Sequence, residues 1–422
     1  MNNSPYIYVA LPVLNESANI RKLLDSLSKQ SHSNFILVAC VNQYDSWWND
    51  NDKIDVCTDN IKSIELLKNT QPFDIKVIDK STLGNGWLKK KGGVGWARKT
   101  IMDYIATAAS ENDIIVSIDA DTYYPEEYLS TIYNYFLKNN DIGGLSLPYY
   151  HKLNGDVTDR LILRYEIYMR YYSLNMMRID NPYCYTALGS AMAFPIWAYK
   201  KAGGLTPVAS GEDFYFLQKL VKIGKLGIWA STIANPSSRF SDRVLFGTGP
   251  ALIKGNSGNW ESYPHYHFSL FDKVRDSFTM FDSLFTEELE TAMDSFLKEQ
   301  TKSDDIWGPL KKNYKDKKNF VRACINKVDG LRILQFLRKQ QTTVELTNEE
   351  TIYQYLAKYH KDDIDNELLE QLKTFSYDNS TIELLNNLRD FLFTEEMDLR
   401  KSKFLTTGNK NTNNKQYKQL YE

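Results

Sequence analysis

The chain has 422 residues, of which 51 are basic and 53 acidic, so its formal net charge is −2. This balance provides no global basic field for binding nucleic acid, and the apolar content of 42% excludes a wholly disordered chain. The four cysteines show no C-x-x-C spacing, which argues against a structural zinc site or a disulfide framework.

The first half of the chain alternates strand-like and helix-like segments. Short apolar runs predict strands, and apolar residues at helical spacing predict helices. This alternation favours a mainly parallel sheet covered by helices, in which ligands bind at the carboxyl ends of the strands. In chain order, we predict a strand at 6–12, a helix at 16–30, strands at 35–42 and 74–79, a helix at 95–109, a strand at 113–119 and a helix at 125–139.

The second half changes character twice. Residues 140–260 are irregular and rich in glycine, which is typical of loops that shape a pocket. Helical patterns dominate from about residue 265, and two of them begin with capping boxes, Thr347 with Glu350 and Ser380 with Glu383. We therefore expect a first domain over 1–265, a helical region over 266–400 and a disordered polar tail over 401–422.

The N-terminal segment "MNNSPYIYVALPVLNES" has no basic region and no cleavage site, and it resembles a strand more than a signal peptide. No apolar run reaches the length of about 18 residues that a membrane-spanning helix needs. The expectation is a cytoplasmic protein.

Two acids end the buried run "IIVSIDADTYY" at residues 114–124. Asp119 and Asp121 alternate at the end of a predicted strand, so they share a side. Carboxylates are the ligands that Mg²⁺ and Mn²⁺ prefer, often together with substrate phosphates. The pair therefore indicates a divalent-cation site, although a solvated turn leading to Pro125 is an equal alternative.

Three further stretches carry charge. Glu212 and Asp213 precede a predicted helix, either as a general base and its neighbour or as acids that favour the helix dipole. Arg239 and Arg243 could neutralise a diphosphate, with Asp242 completing a metal shell, or they could form a local surface ion pair. The glycines of "KKKGGVGWARK" (89–99) could hold an anion at a helix start, but they match neither a P-loop nor a dinucleotide fingerprint.

The order of these pieces resembles family 2 glycosyltransferases. "VALPVLNESANIRKLLDSL" resembles the opening strand and helix of that family, and "KGGVGWARKTIMDYI" its third segment. "DIIVSIDADTYYPEEYL" is similar to its D-x-D segment, and "ALGSAMAFPIWAYKKAGGLTPVASGEDFYFLQKL" to its acceptor segment. The resemblance covers residues 5–250.

The resemblance implies a GT-A fold, with one mixed sheet flanked by helices and a nucleotide-sugar site. Asp121 would bind Mn²⁺ or Mg²⁺ directly, Asp119 would support the ribose and the metal, and Asp213 would be the general base. Glu212 would contact the sugar or the acceptor. The remaining site residues would line the nucleoside (Pro12, Asn15, Glu16), read the base (Asn42, Asp45), flank the nucleotide (Ala97, Arg98) and face the sugar (Gly189, Ser190).

The chain departs from the family in three places. The stretch "VNQYDSWWND" lacks the Asp-Asn/Asp-Gly-Ser run that is frequent in the family, and no third metal ligand is evident beyond Asp242. No Q-x-x-R-W follows the Glu-Asp helix, which implies a non-processive enzyme. The resemblance thus implies a metal-dependent inverting glycosyltransferase of surface polysaccharide or glycoconjugate synthesis, with a glycan, lipid-linked or other hydroxyl acceptor.

Two other functions stay open. "IIVSIDADT" also resembles the opening of haloacid-dehalogenase phosphotransferases, but with Thr122 one position early. The chain could instead be a catalytically inactive GT-A scaffold. The basic segment "KKNYKDKKNFVR" (311–322) suggests peripheral contact with anionic lipid at the inner face of the membrane, with a solvated surface as the alternative. The sequence does not determine the sugar, the base, the acceptor or the oligomeric state.

Overall fold

The computed structural model describes residues 4–69, 72–88 and 91–408, with side chains through Lys403. By their contacts, these residues fall into two compact units. Unit 1 comprises 1–162 and 185–259, and unit 2 comprises 163–184 and 260–422. Both units are therefore built from separate stretches of the chain.

Unit 1 contains a sheet of seven strands within the described residues. The strands are β1 (Ile7–Val13), β2 (Phe35–Asn42), β3 (Asp74–Lys80), β4 (Ile114–Ser117), β5 (Ile142–Ser146), β6 (Met192–Pro195) and β7 (Lys225–Gly227). They lie in the order β3-β2-β1-β4-β6-β5-β7. Strands β3, β2, β1 and β4 run parallel to one another, and β6 lies antiparallel between β4 and β5.

Helices flank this sheet. They are α1 (Ser17–Ser28), α2 (Ile54–Lys68), α3 (Val94–Ala108), α4 (Tyr128–Lys138), the first part of α5 (Thr158–Arg178), α6 (Ile196–Lys201), α7 (Glu212–Ile223) and α8 (Thr248–Asn256), with a 3₁₀ turn at Asp45–Asn49. The expected class, a mixed and mainly parallel sheet flanked by helices and followed by a helical C-terminal region, is confirmed.

The apolar runs explain why the sheet forms. Residues of β1 and β4 such as Ile7, Val9, Ile114 and Val116 are fully buried, as expected for strands that are covered on both faces. The parallel pairing of Ala10 with Ser117 brings the carboxyl ends of β1 and β4 together. The segments that follow these two strands therefore emerge side by side.

Unit 2 is helical. After the second part of α5 it contains α9 (Phe268–Met280), α10 (Asp294–Thr301), α11 (Gly308–Asn313), α12 (Lys317–Lys327), α13 (Gly330–Gln341), α14 (Asn348–Tyr359), α15 (Asn366–Gln371) and α16 (Ile382–Gly408), with a 3₁₀ turn at Ser283–Phe285. The capping box of Thr347 and Glu350 is confirmed at the start of α14. Of the tail expected at 401–422, residues 401–408 continue α16, and 409–422 lie outside the described residues.

A buried charge network joins α5 to α16 within unit 2. Arg170 donates to Glu166 at 3.0 Å and to Glu396 at 2.6 Å, and Arg400 donates to Glu396 at 2.9 Å. All four side chains are fully buried. Burial acts to raise the pKa of Glu396, but Arg400 and Arg170 outweigh it and hold that pKa below its ordinary value. The network therefore favours the charged form of Glu396 in the core.

Among the described residues, no helix combines the length and the apolarity that crossing a membrane requires.

Candidate active site

The candidate site lies at the carboxyl end of the sheet of unit 1. Glu16 follows β1, Asp119 and Asp121 follow β4, and Glu212 and Asp213 begin α7. Three arginines interleave with these acids, and each acid except Asp213 contacts at least one of them. The site is thus a mixed cluster of acids and arginines.

Arg98 is the centre of one half of the cluster. It lies on α3, is only 3% exposed, and donates to Asp119 at 2.6 Å and to Glu212 at 3.0 Å. It also donates to the Gly189 carbonyl at 2.7 Å and to the Ser117 hydroxyl. One guanidinium therefore connects the end of β4, the loop before β6 and the start of α7.

Arg98 is positively charged in the folded protein. Burial acts to lower its pKa, but the carboxylates of Asp119 and Glu212 raise that pKa above its ordinary value. Gly189 leaves the space that the guanidinium needs, because a Cβ at this position would lie 2.4 Å from Arg98 Nη2. The glycine that we expected to face the sugar thus packs against Arg98.

Arg239 and Arg243 form the other half. Arg239 donates from Nε to Asp121 at 2.7 Å and from Nη2 to Glu16 at 2.5 Å. Arg243 also donates to Glu16 and to the Leu14 carbonyl, and its Nη2 lies 3.8 Å from Asp121. Both sequence-predicted arginines are therefore brought to the acids after β1 and β4.

The Glu-Asp pair sits at the first turn of α7, after Gly211 in a left-handed conformation. Glu212 is 4% exposed. Burial and the neighbouring Asp213 raise the pKa of Glu212 to about 7, although Arg98 acts against them. Asp213 is half-buried, and one of its carboxylate oxygens accepts the N–H of Phe214 at 2.7 Å. Of the two acids, Asp213 is the one that solvent reaches.

A buried tyrosine supports the loop that carries the D-x-D acids. The Tyr124 hydroxyl accepts the N–H of Asp119 at 3.0 Å and donates to the carbonyl of Ser190 at 3.0 Å. Ser190 therefore contributes its backbone here, and its side chain is buried. Neither Tyr124 nor Ser117 was expected from sequence, since an aromatic or a serine in such a run carries no spacing signal.

Residues expected at the nucleoside lie along the ends of β1 and β2. Pro12 is in β1, and Asn15 follows it, exposed and with a φ of 55°. Asn42 is buried, donates to the Val13 carbonyl at 2.9 Å and accepts from the indole of Trp87 at 3.2 Å. Its amide thus joins β1 to the loop after β3.

Two more expected residues lie near these ends. Asp45 begins the 3₁₀ turn after β2 and accepts the N–H groups of Gly84 at 2.7 Å and Gly86 at 3.3 Å. Ala97 is fully buried on α3. Asp45 therefore organises the loop after β3, and Ala97 packs inside the fold.

The D-x-D acids fit a divalent cation. Asp119 has one carboxylate oxygen on Arg98, Asp121 has one on Arg239, and the second oxygen of each has no hydrogen-bond partner among the described residues. Two carboxylate oxygens, with phosphate and water completing the shell, match the usual protein contribution to an Mg²⁺ or Mn²⁺ site. Asp242 is exposed, and Asp119, Asp121 and Asp242 do not form a group whose carboxylate oxygens all lie within 4.8 Å of one another.

No protein-family model matches this chain, and no curated protein does. Among solved structures, the chain is similar to S. aureus TarS in complex with UDP-GlcNAc, at 15% identity and a TM-score of 0.39, over 94% of this chain and 92% of that one. It is also similar to the mannosyltransferase PcManGT from Pyrobaculum calidifontis in complex with GDP-Man and Mn²⁺, at 11% identity and 0.34, over 97% and 89%.

A third similar structure is glucosyl-3-phosphoglycerate synthase from Mycobacterium tuberculosis in complex with Mn²⁺, UDP and glucosyl-3-phosphoglycerate, at 17% identity and a TM-score of 0.32, over 55% of this chain and 70% of that one. At TM-scores of this size, the function of the present chain has to be argued from its own residues.

Proposed function

We propose that this chain is a non-processive, inverting glycosyltransferase of family 2, with a GT-A catalytic domain over residues 1–265. It would transfer a sugar from a nucleoside-diphosphate donor to a hydroxyl group. The observation that carries this proposal is the bridge that Arg98 makes from Asp119 to Glu212. Because of this bridge, the acids suited to a charged donor and the acids suited to proton transfer border one site.

The donor side combines Asp119, Asp121, Arg239 and Arg243. Arg239 is 35% exposed and Arg243 26%, so a diphosphate can approach both guanidinium groups. Guanidinium groups bind phosphate oxygens with paired N–H donors. A bound Mn²⁺ or Mg²⁺ would add Lewis-acid stabilisation of the leaving diphosphate.

The acceptor side centres on Asp213. The acceptor oxygen forms a bond to the anomeric carbon of the sugar while the bond from that carbon to the diphosphate oxygen breaks. Asp213 takes the hydroxyl proton, and the nucleoside diphosphate leaves with the electron pair. Glu212 is committed to Arg98, which leaves the half-buried Asp213 as the base. A single displacement of this kind inverts the anomeric configuration.

The test begins with calorimetric binding of UDP and GDP, each with Mn²⁺ and with EDTA. We expect one nucleotide to bind in a cation-dependent manner, and Asp121→Asn to abolish that dependence. Asp25→Asn, an exposed aspartate of α1, is the matched control and should bind as the wild type does. If Asp121→Asn keeps full Mn²⁺-dependent binding, the donor assignment fails.

Catalysis is tested separately by release of the nucleoside diphosphate from a panel of nucleotide-sugars, with water as the acceptor. Asp213→Asn should retain nucleotide binding and lose most of this release, because general-base catalysis contributes typically about 10²–10⁴-fold. Equal release by the wild type and by Asp213→Asn would refute the base assignment. If neither nucleotide binds in the presence of Mn²⁺, the chain is better described as a scaffold.

We also propose that the protein acts in the cytoplasm, at the inner face of the membrane. Segment 311–322 offers basic side chains, although Lys311 bonds to the Glu287 carbonyl and Lys317 pairs with Asp282 at 2.7 Å. Liposomes with anionic lipid should sediment the protein at low salt and release it at high salt. A protein that stays in the supernatant at low salt would exclude this contact.

A further inference from the structure

A second cluster of ligand-type side chains lies in unit 2, outside the site described above. His360 directly follows the last residue of α14, Asp363 lies three residues further on, and Glu395 lies on α16. Each offers one ligand atom, and the three atoms lie within 4.8 Å of one another. In residues 4–69, 72–88 and 91–403, this is the only group of three His, Cys, Asp or Glu side chains with that geometry.

The imidazole of His360 is held in one orientation. Its Nδ1 lies 3.0 Å from Oε2 of Glu395, and its Nε2 lies 3.0 Å from the hydroxyl of Tyr355. The rings of Tyr355 and Phe391 pack around it, and the residue is 7% exposed. A histidine that ligates a metal through one nitrogen commonly donates a hydrogen bond through the other, and Tyr355 provides that partner.

The carboxylates of Asp363 and Glu395 are not neutralised by a basic side chain among the described residues. Within the part of the chain that the structure describes, neither Asp363 nor Glu395 forms an ion pair with a lysine or an arginine. Two carboxylates this close repel each other unless a positive charge or hydrogen bonds compensate. Asp363 is exposed and Glu395 is 22% exposed, so an ion can enter from solvent.

We propose that His360, Asp363 and Glu395 bind a divalent transition-metal ion, with Zn²⁺ as the best match. One nitrogen and two oxygens suit Zn²⁺ better than Mg²⁺ or Ca²⁺, which prefer oxygen ligands alone. Tetrahedral zinc with bonds of about 2.0–2.2 Å places its ligands about 3.4 Å apart. Nδ1 of His360 and Oε2 of Glu395 are already near this separation, at 3.0 Å. The exposed side chain of Asp363 can rotate to bring its carboxylate to the same distance from both.

The bound ion would tie the turn after α14 to α16, and water would complete its coordination. This role is independent of the proposed glycosyl transfer, since all three ligands belong to the helical unit. Loss of zinc binding would therefore leave the donor assignment standing, and the reverse also holds.

The experiment is calorimetric titration of the full-length, EDTA-treated protein with Zn²⁺, in excess Mg²⁺ to occupy sites made of carboxylates alone. We expect one Zn²⁺ per chain and an affinity at least 10-fold lower in His360→Gln and in Glu395→Gln. Tyr355→Phe, which removes only the supporting hydroxyl, should weaken binding about 10–100-fold. His32→Gln in unit 1 and Glu383→Gln on α16 are matched controls and should bind as the wild type does.

Thermal unfolding provides a second readout. Zn²⁺ should raise the melting temperature of the wild type and of both controls, and it should not raise that of His360→Gln or Glu395→Gln. Circular dichroism verifies that each variant is folded before titration. The proposal is overturned if the wild type binds no Zn²⁺ at micromolar concentrations, or if both ligand variants bind it with unchanged affinity.

Discussion

Replacing Glu212 by glutamine should remove a pH dependence from the stability of unit 1. Burial and Asp213 raise the pKa of this carboxyl from 4.5 to about 7 in the folded protein. Between these two values, the folded state holds a proton that the unfolded state has lost. The free energy of unfolding therefore falls as pH rises through this window.

The size of the effect follows from the pKa difference. Each pKa unit corresponds to about 1.36 kcal/mol, so the raised pKa of Glu212 lowers the free energy of unfolding by about 3 kcal/mol between pH 4.5 and pH 8. Glutamine carries no proton equilibrium in this range. Glu212→Gln should therefore lose this component, and its stability relative to the wild type should improve by about 2.5 kcal/mol from pH 5 to pH 8.

The assay is urea unfolding followed by tryptophan fluorescence at pH 5 and pH 8. Six of the eight tryptophans belong to unit 1, so the signal reports mainly on that unit. Glu111→Gln is the matched control, because the side chain of Glu111 is 60% exposed and pairs with Lys200 at the surface. If Glu212→Gln and the wild type change in parallel between the two pH values, Glu212 does not titrate in this window and the reasoning is wrong.

Three further outcomes are expected. Arg98→Met should lower the free energy of unfolding by about 3–5 kcal/mol at pH 8, since it leaves the buried Glu212 and the partly exposed Asp119 without their cation. Lys99→Met on the same helix should change it by less than about 1 kcal/mol, and urea unfolding measures both. Gly189→Ala should displace the Arg98 guanidinium and lower the melting temperature, and Gly224→Ala, where a Cβ meets no atom within 4 Å, should not. Glu396→Gln should lower the stability of unit 2 by about 3–5 kcal/mol near pH 7 in calorimetry, because two buried arginines lose their shared carboxylate.

Long apolar runs made most of the first half predictable. The strand expected at 35–42 is observed at Phe35–Asn42, and the helix expected at 95–109 at Val94–Ala108. The helix expected at 125–139 begins later, at Tyr128, because Pro125 starts a turn in which its carbonyl accepts the N–H of Tyr128. Local patterning located these elements but not their ends.

Other elements gave no local signal. Strands β5 and β6 have only five and four residues, and their place beside β4 depends on pairings between distant segments.

The capping box expected at Ser380 and Glu383 is wrong, because Ser380 accepts the N–H of Ser376 and Thr381 accepts that of Leu384 instead. Adjacent hydroxyl residues compete for the same cap, and the sequence does not decide between them.

The candidate site was predictable as a set of charges but not as a set of contacts. Alternation placed Asp119 and Asp121 together at a strand end, yet each pairs with a different arginine. Arg98 was expected to flank the nucleotide, and its four contacts come from segments as far as 114 residues away. Such partners are fixed by the tertiary fold, and no spacing in the sequence encodes them. The role of each of these residues in catalysis stays a prediction.

The buried charges shared by α5 and α16 have a practical consequence for dissecting the protein. A fragment that begins at residue 260 would keep Arg400 and Glu396 but lose Arg170 and Glu166, which lie nearly one hundred residues earlier. A fragment that ends there would carry Arg170 and Glu166 without their counterparts. Each piece would keep one arginine–glutamate pair but lose the contact between Arg170 and Glu396 that links the two helices, so expressing the helical half alone requires grafting residues 163–184 onto it.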